Sequence, residues 1–226
     1  MRREVDVREL QRLYGAEDMV RADCGGCTGC HSCCQGMGDS IGLDPWDVWN
    51  LCRGTGRSLE ELINGGYAEL GLDDGLVLPH LRMRRRQDGQ EACGFLSEEG
   101  RCLVHPFRPG ICRLFPLGRY YENGDFRYYL QMNQCPKPVK AKVRVRKWLE
   151  IEELERYEQF VRDWHSLLTR CRQGAGRCGE EARKKASLLL LRIFYLAPYE
   201  TEADFYGQFE ARKESAGSVL AGLFVE

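Results

Sequence analysis

The sequence predicts an irregular α+β fold, in which a small cysteine-rich core with short β-hairpins is followed by a helical C-terminal segment. Five of the twelve cysteines fall between residues 24 and 34, where glycines separate them. Short apolar segments divided by turn residues continue to about residue 135. After residue 139, apolar residues recur at helical spacing. We therefore divide the chain into a cysteine-rich part, 1–138, and a helical extension, 139–226.

The composition is that of a globular protein, since 43% of the residues are hydrophobic. The formal net charge of −1 gives no electrostatic reason to expect nucleic acid as a partner. No apolar run approaches the roughly 20 residues that a membrane span requires. Residues 1–6 include arginines but no apolar segment of the kind found in secretory signals. We expect a cytoplasmic protein without a membrane span.

Short helices with clear end signals are predicted in the first part of the chain. Residues 6–14 are expected to form a helix that ends at a glycine. Asp44-Pro45 is typical of a helix start, with aspartate as the cap and proline in the first turn. Ser58-Leu59-Glu60-Glu61 is a capping box, and the helix that it begins should end at Gly65-Gly66.

Two β-hairpins are predicted between these helices and the extension. The first spans residues 78–96 with its turn at Gln87-Asp88-Gly89, and the second spans residues 117–131 with its turn at Asn123-Gly124. Four arginines between positions 82 and 86 would lie on the first hairpin. They indicate either a solvated edge strand protected by charge or a face that binds anions.

The helical extension begins after a basic segment, 140–147. Apolar spacing predicts a long amphipathic helix over residues 148–172. The break at 174–176 should separate it from a second helix over 180–196, and a third helix is predicted over 202–210. We expect these helices to pack on the cysteine-rich part, with the binding of a protein partner as the alternative role.

The cysteine content indicates either disulfides or metal ligands, because twelve thiols are too many for an ordinary cytosolic enzyme. A cytosolic chain keeps its thiols reduced, and clustered reduced thiols bind metal. The adjacent Cys33 and Cys34 cannot easily form a disulfide with each other without strain. We therefore interpret the core as metal-bound.

The spacing of the first cysteine group is compatible with two metals. Cys24, Cys27, Cys30 and Cys34 follow the pattern C-x2-C-x2-C-x3-C, which bacterial ferredoxins use for a [4Fe-4S] cluster. Pairs of cysteines separated by two residues also suit tetrahedral zinc. Spacing alone does not distinguish these metals, since both prefer thiolate ligands.

A second cysteine group lies in loops that proline and glycine make rigid. Its members are Cys93, Cys102, Cys112 and Cys135. Their spacing is too irregular to identify a metal site alone, although each lies near a turn or the end of a hairpin. Cys52 is expected to be a core residue inside a helix, and Cys171 and Cys178 are not expected to bind metal.

Several motifs together resemble the YkgJ-type cysteine cluster family, a zinc- or iron-chelating domain. They are Cys27-x2-Cys30-x2-Cys33-Cys34, Gly94-Phe95-Leu96, Gly100-Arg101-Cys102 and the run from Arg108-Pro109 through Cys112-Arg113 to Phe115-Pro116. The resemblance covers about residues 24–135. By position it implies that the ligands are Cys27, Cys30, Cys33, Cys34, Cys93, Cys102, Cys112 and Cys135, with Cys24 as an addition to the motif.

Eight core thiols permit one four-cysteine site with spare ligands, or two sites. We expect Cys33 and Cys34 to point in different directions, so that one joins the second cysteine group and the other completes the first. Arg108 and Arg113 flank Cys112. They could hold the loop by hydrogen bonds to carbonyls, or offset thiolate charge and bind an anionic group near the metal as cofactor-binding residues.

Three functions are compatible with these features. The first is a metal-binding protein with a [4Fe-4S] cluster for redox, sensing or structural use. The second is a protein-lysine N-methylase, because the family includes FliB-type flagellin lysine N-methylases, which look like iron-sulfur proteins using S-adenosylmethionine. The third is a structural zinc module that binds a protein partner. The sequence identifies no catalytic residue, and it lacks a glycine-rich nucleotide-binding motif after a strand.

Overall fold

A computed structural model of the protein describes residues 12–23, 25, 30–87, 89–131, 134–137 and 140–223. The strands in these ranges are β1 (Leu13–Tyr14), β2 (Met19–Asp23), β3 (Ala68–Asp73), β4 (Leu76–Leu81), β5 (Met83–Arg85), β6 (Glu91–Cys93), β7 (Leu117–Glu122), β8 (Asp125–Leu130) and β9 (Ala141–Arg144). The α-helices are α1 (Pro45–Thr55), α2 (Leu59–Asn64), α3 (Gly110–Leu114), α4 (Val145–Leu149), α5 (Leu154–Leu191) and α6 (Phe205–Leu223). This mixture confirms the α+β prediction.

The strands form small antiparallel sheets. One sheet has three strands in the order β1-β8-β7, and three others are the pairs β2-β9, β3-β4 and β5-β6. The predicted hairpin at Asn123-Gly124 is confirmed as β7 and β8. Asn123 and Gly124 have φ values of 51° and 79°, and two successive positive φ angles are what a tight hairpin turn of this twist requires.

The prediction of a single hairpin over residues 78–96 is wrong. Residues up to Leu81 pair with β3 across the turn at Asp74-Gly75, and only Met83–Arg85 pair with Glu91–Cys93. Aspartate followed by glycine is a strong hairpin signal, and both residues have positive φ values, 50° and 86°. The turn residue Asp88 lies outside the described residues. The strand that carries the arginines is therefore only three residues long.

The predicted helix over residues 6–14 is wrong at its end. Residues 1–11 lie outside the described residues, but Leu13 and Tyr14 form β1 and pair with Tyr129 and Tyr128 of β8. The basic segment after residue 139 also contains a strand that was not predicted, since β9 pairs with β2. These strands depend on pairing with distant segments, which a local pattern does not reveal.

The two predicted N-caps are confirmed. The backbone N–H of Asp47 donates to Asp44 Oδ1 at 2.8 Å, and the Asp44 N–H donates to Asp47 Oδ2 at 3.1 Å. In the same way, the Glu61 N–H donates to Ser58 Oγ at 3.2 Å, while the Ser58 N–H donates to Glu61 Oε2 at 2.7 Å. These reciprocal bonds satisfy N–H groups that have no partner inside a helix.

The boundaries of the long helix differ from the prediction. It begins at Leu154 rather than Trp148, because Glu150 and Glu153 have left-handed φ values of 52° and 50°. It continues through the glycines at 174–176 and breaks at Gly179, whose φ of 88° and ψ of −168° are accessible essentially to glycine alone. The third helix is longer than predicted and extends to Leu223.

One apolar cluster includes residues from Val20 to Leu220 and joins the two parts of the chain. The cluster includes the contacts of α5 with α1 and α6. Trp46 meets Tyr157 edge to face with ring centroids 4.9 Å apart, and Phe160 meets Phe209 at 4.7 Å. Both Tyr157 and Phe160 are almost fully buried. Helix α5 therefore packs directly against the helix that precedes the second cysteine group; the division into domains at residue 138 remains a prediction.

Candidate metal centre

Five candidate ligands, on four segments of the chain, lie near one another. Cys33 and Cys34 lie in a single 3₁₀ turn, Ser32–Cys34. Immediately after it, Gln35 forms a β-bridge with Ala92, and the Gly36 N–H donates to the Glu91 carbonyl at 3.0 Å. These contacts hold the adjacent cysteines beside Cys93, the last residue of β6.

The loop between Cys93 and Cys102 is closed by its own backbone. Leu96 forms a bridge with Cys102, and the Leu103 N–H donates to the Phe95 carbonyl at 2.9 Å. Within the loop, a β-carbon on Gly100 would lie 2.9 Å from His31 Nδ1. The first cysteine group therefore packs directly on the loop that carries the second group.

Cys112 is positioned by contacts of its own helix with α1 and α5. The Gly110 N–H at the start of α3 donates to Asp47 Oδ1 at 2.7 Å. A β-carbon at Gly110 would overlap the hydroxyl of Tyr157. A buried carboxylate and a buried tyrosine thus fix the backbone two residues before Cys112. Sequence reasoning missed Asp47 and Tyr157, since contacts over such sequence separations leave no local signal.

Arg113 holds the same loop through three carbonyls. Its Nε donates to the Arg108 carbonyl at 3.1 Å, its Nη1 donates to the Glu150 carbonyl at 2.9 Å, and its Nη2 donates to the Pro106 carbonyl. Only 7% of the residue is exposed. Of the two roles considered from the sequence, these bonds support the structural one for Arg113.

Arg108 both donates to a backbone carbonyl and acts on the charge of the thiols. Its Nη1 donates to the His105 carbonyl at 3.1 Å and lies 2.9 Å from His105 Nδ1, while its Nη2 pairs with Glu150 Oε2 at 3.1 Å. Its charge also helps to lower the pKa of Cys33 and opposes the burial that raises the pKa of Cys102. Arg108 therefore stabilises negative charge on the thiols, and a cofactor-binding role for Arg108 and Arg113 remains a prediction.

Replacing Arg113 with lysine should lower the free energy of unfolding by about 1–3 kcal/mol. The single ammonium group of lysine cannot donate to all three carbonyls that the guanidinium group reaches, so buried carbonyl oxygens would lose their hydrogen bonds. Denaturant titration of the full chain measures this change. Arg127 is exposed on β8, so the matched Arg127→Lys variant should change stability by less than about 0.5 kcal/mol. Equal effects in the two variants would contradict the role given to Arg113.

The side chains of Cys33 and Cys34 were expected to point in different directions, but their sulfur atoms lie close together. Their Sγ atoms are 4.0 Å apart. A hydrogen bond from the Cys34 thiol lowers the pKa of Cys33 to about 7, and the same bond raises the pKa of Cys34. The charge of Cys33 acts on Cys93, Cys102 and Cys112, and those of Cys93 and Cys112 act on Cys34. Both adjacent cysteines therefore lie near the second group.

The remaining thiols of the cluster resist ionisation. Burial raises the pKa of Cys93 to about 11, and burial also raises the pKa values of Cys102 and Cys112. The charges of neighbouring thiolates raise them further, because like charges in a poorly solvated site repel one another. A metal cation bound to these sulfurs would offset this repulsion, so the donor set suits a soft metal.

The arrangement of the described side chains does not by itself place an ion. Across the described ranges, no three His, Cys, Asp or Glu side chains converge at ion-binding distance. Two of the predicted ligands, Cys24 and Cys27, lie outside those ranges. Cys30 Sγ lies 3.7 Å from Ser32 Oγ. Cys135 is buried, and its carbonyl accepts a hydrogen bond from Lys140 Nζ at 3.2 Å.

The cysteines that were not expected to be ligands lie in helices. Cys52 is in α1 and packs against the apolar core, and burial raises its pKa to about 11. Cys171 is buried in α5, and burial raises its pKa to about 11 as well. Cys178, half-buried, is in the same helix, next to the break at Gly179. These positions agree with structural roles for the first two.

The fold and the neighbouring thiols define a cysteine-rich α+β protein whose sulfur donors suit a soft metal. Residues 26–136 match the family model CxxCxxCC, described as a putative zinc- or iron-chelating domain. Residues 26–136 form a domain of this family, as the sequence motifs predicted. No curated protein and no solved structure gave a significant match. Every helix in the described ranges is too short or too polar to span a bilayer.

Proposed function

We propose that this protein binds a [4Fe-4S] cluster through its clustered cysteines and uses it for electron transfer, redox sensing or structural stability. The observation that supports the proposal is the proximity of five thiols from four chain segments, which interact electrostatically: Cys33, Cys34, Cys93, Cys102 and Cys112. A cluster with four thiolate ligands uses a donor set of this kind.

The proposed ligands are four of these five thiols, with Cys24, Cys27, Cys30 and Cys135 as candidates for the remaining positions or for a second site. Bound iron and sulfide would supply one-electron redox chemistry. The chain itself would hold the cluster between the Cys93–Cys102 loop and α3. Arg108 would offset part of the ligand charge, since its guanidinium already favours thiolate at Cys33 and Cys102.

A single zinc ion is the second candidate, and one distance favours it. Four sulfurs at about 2.3 Å from zinc in tetrahedral geometry are about 3.8 Å from each other. The sulfurs of Cys33 and Cys34 are 4.0 Å apart, which is close to that value. In a four-iron cluster, thiolates bind different irons and are further apart, so this pair would have to separate. Such a zinc site would stabilise the fold.

Metal and acid-labile sulfide analysis of protein purified without oxygen tests both candidates. We expect about four irons and about four sulfides per chain, with brown colour. About one zinc without sulfide, in colourless protein, would replace the first proposal with the second. Protein that retains neither metal after purification with chelator-free buffers would contradict both. The methylase alternative and the cytoplasmic location remain predictions of the sequence.

A further inference from the structure

A basic depression lies beside the hairpin that carries Cys93. Its volume is about 410 Å³, and its lining includes Gly65 and Gly66 from the end of α2, together with Arg82, Arg84 and Arg85 on and beside β5. Volumes of this size accommodate small molecules. Strand β5 pairs with β6, and Met83 lies directly opposite Cys93. The depression and the thiol cluster therefore share one hairpin.

Two guanidinium groups converge in this depression. Measured from the position of a β-carbon on Gly66, Arg84 Nη2 lies at 3.2 Å and Arg82 Nη1 at 3.7 Å. Arg84 is fixed there, because its Nε donates to the Gly66 carbonyl at 3.0 Å and its Nη2 donates to the Gly65 carbonyl. Its guanidinium also lies over the Tyr67 ring, 4.5 Å from the centroid. One arginine of the pair is thus held in place before any ligand binds.

The charges around the depression do not balance. Three arginines, Arg82, Arg84 and Arg85, line it. The acidic groups beside them are Glu69, 3.6 Å from Arg82 Nε, and Glu91, which is opposite Arg85 in the sheet register. Arg57, 5.1 Å from the Tyr67 centroid, lies near Glu61 and adds no net charge. The excess of one positive charge favours an anionic ligand.

We propose that this depression binds a small molecule through a phosphate or diphosphate group. Arg82 Nη1 and Arg84 Nη2 lie close to one point, so a phosphate placed there would accept hydrogen bonds from both guanidinium groups. The glycines at 65 and 66 leave room for close approach, since a side chain at Gly66 would fill the space between the two guanidinium groups. The binding site is separate from the candidate ligands and does not depend on which metal the cysteines hold.

Calorimetric titration of the full chain at low ionic strength tests this proposal, with inorganic pyrophosphate, inorganic phosphate and acetate as probes. We expect saturable binding of pyrophosphate at one site, weaker binding of phosphate and no detectable binding of acetate. Arg82→Gln and Arg85→Gln should each weaken pyrophosphate binding about tenfold, the loss expected for a hydrogen bond to a charged group. Neither arginine side chain donates to a backbone carbonyl in the described residues, so both variants should fold.

Arg127→Gln is the matched control, because it removes the same charge from an exposed site on β8. It should leave the affinity for pyrophosphate within about twofold of wild type. The absence of saturable pyrophosphate binding, equal binding of acetate, or an equal loss in Arg127→Gln would overturn the proposal. Metal content should be the same in wild type and all three variants, so failure here is distinguishable from failure of the metal assignment.

Discussion

Cys112→Ser should release most of the bound metal and lower the free energy of unfolding by several kcal/mol. Cys112 lies on α3, which contacts with α1 and α5 hold in place. The backbone therefore cannot shift to bring another cysteine to the position of the lost sulfur. Structural zinc sites contribute about 10–16 kcal/mol of apparent binding free energy, and loss of one ligand removes part of it. Metal analysis of the purified variant and denaturant titration measure the two effects. We expect Cys30→Ser to release metal as well.

The matched control is Cys178→Ser. This cysteine is half-buried in α5 and is not among the candidate ligands. Its replacement should leave the metal content unchanged and alter stability by less than about 1 kcal/mol. If Cys112→Ser retained the full metal content of wild type, Cys112 would not be a ligand. If Cys178→Ser lost as much metal, the loss would reflect general destabilisation rather than ligation.

Gly110→Ala should destabilise the protein by about 3–5 kcal/mol. The added methyl group would overlap the Tyr157 hydroxyl, which also accepts a hydrogen bond from Arg119 Nη2 at 2.9 Å and cannot move freely. Overpacking a core costs about 1–3 kcal/mol. Displacement of the backbone would also break the bond from the Gly110 N–H to Asp47, and an unpaired buried N–H costs about 1–3 kcal/mol. Thermal and denaturant unfolding measure the sum.

The same substitution should lower metal affinity, because it moves the helix that carries Cys112. A competition titration with a chromogenic chelator measures this effect. Gly217→Ala is the control, since Gly217 lies inside α6 and a β-carbon there would have no atom within 4 Å. Alanine should stabilise that helix by up to about 1 kcal/mol. A Gly110→Ala variant as stable as wild type would show that α3 does not depend on this close contact.

The local signals in the sequence predicted local structure well. The caps at Asp44 and Ser58 and the turn at Asn123-Gly124 act within four residues, and the structure has all three where they were expected. The errors concern segments whose partners are distant. Leu13–Tyr14 were predicted as helix but form a strand because β8 pairs with them, and β9 forms because β2 does. The helix break was placed at the wrong glycine, since burial of Gly174 and Ala175 favours continued helix there.

The cysteine motifs by themselves determined the family that residues 26–136 match and the class of ligand, because soft thiolate donors at short spacing select metals in any fold that brings them together. Only the tertiary structure decided that Cys33 and Cys34 both lie near Cys93, and that a carboxylate on α1 and a hydroxyl on α5 hold the backbone before Cys112. The reason is physical: ligand type is a property of each side chain, whereas distance and burial depend on contacts between residues far apart in the sequence.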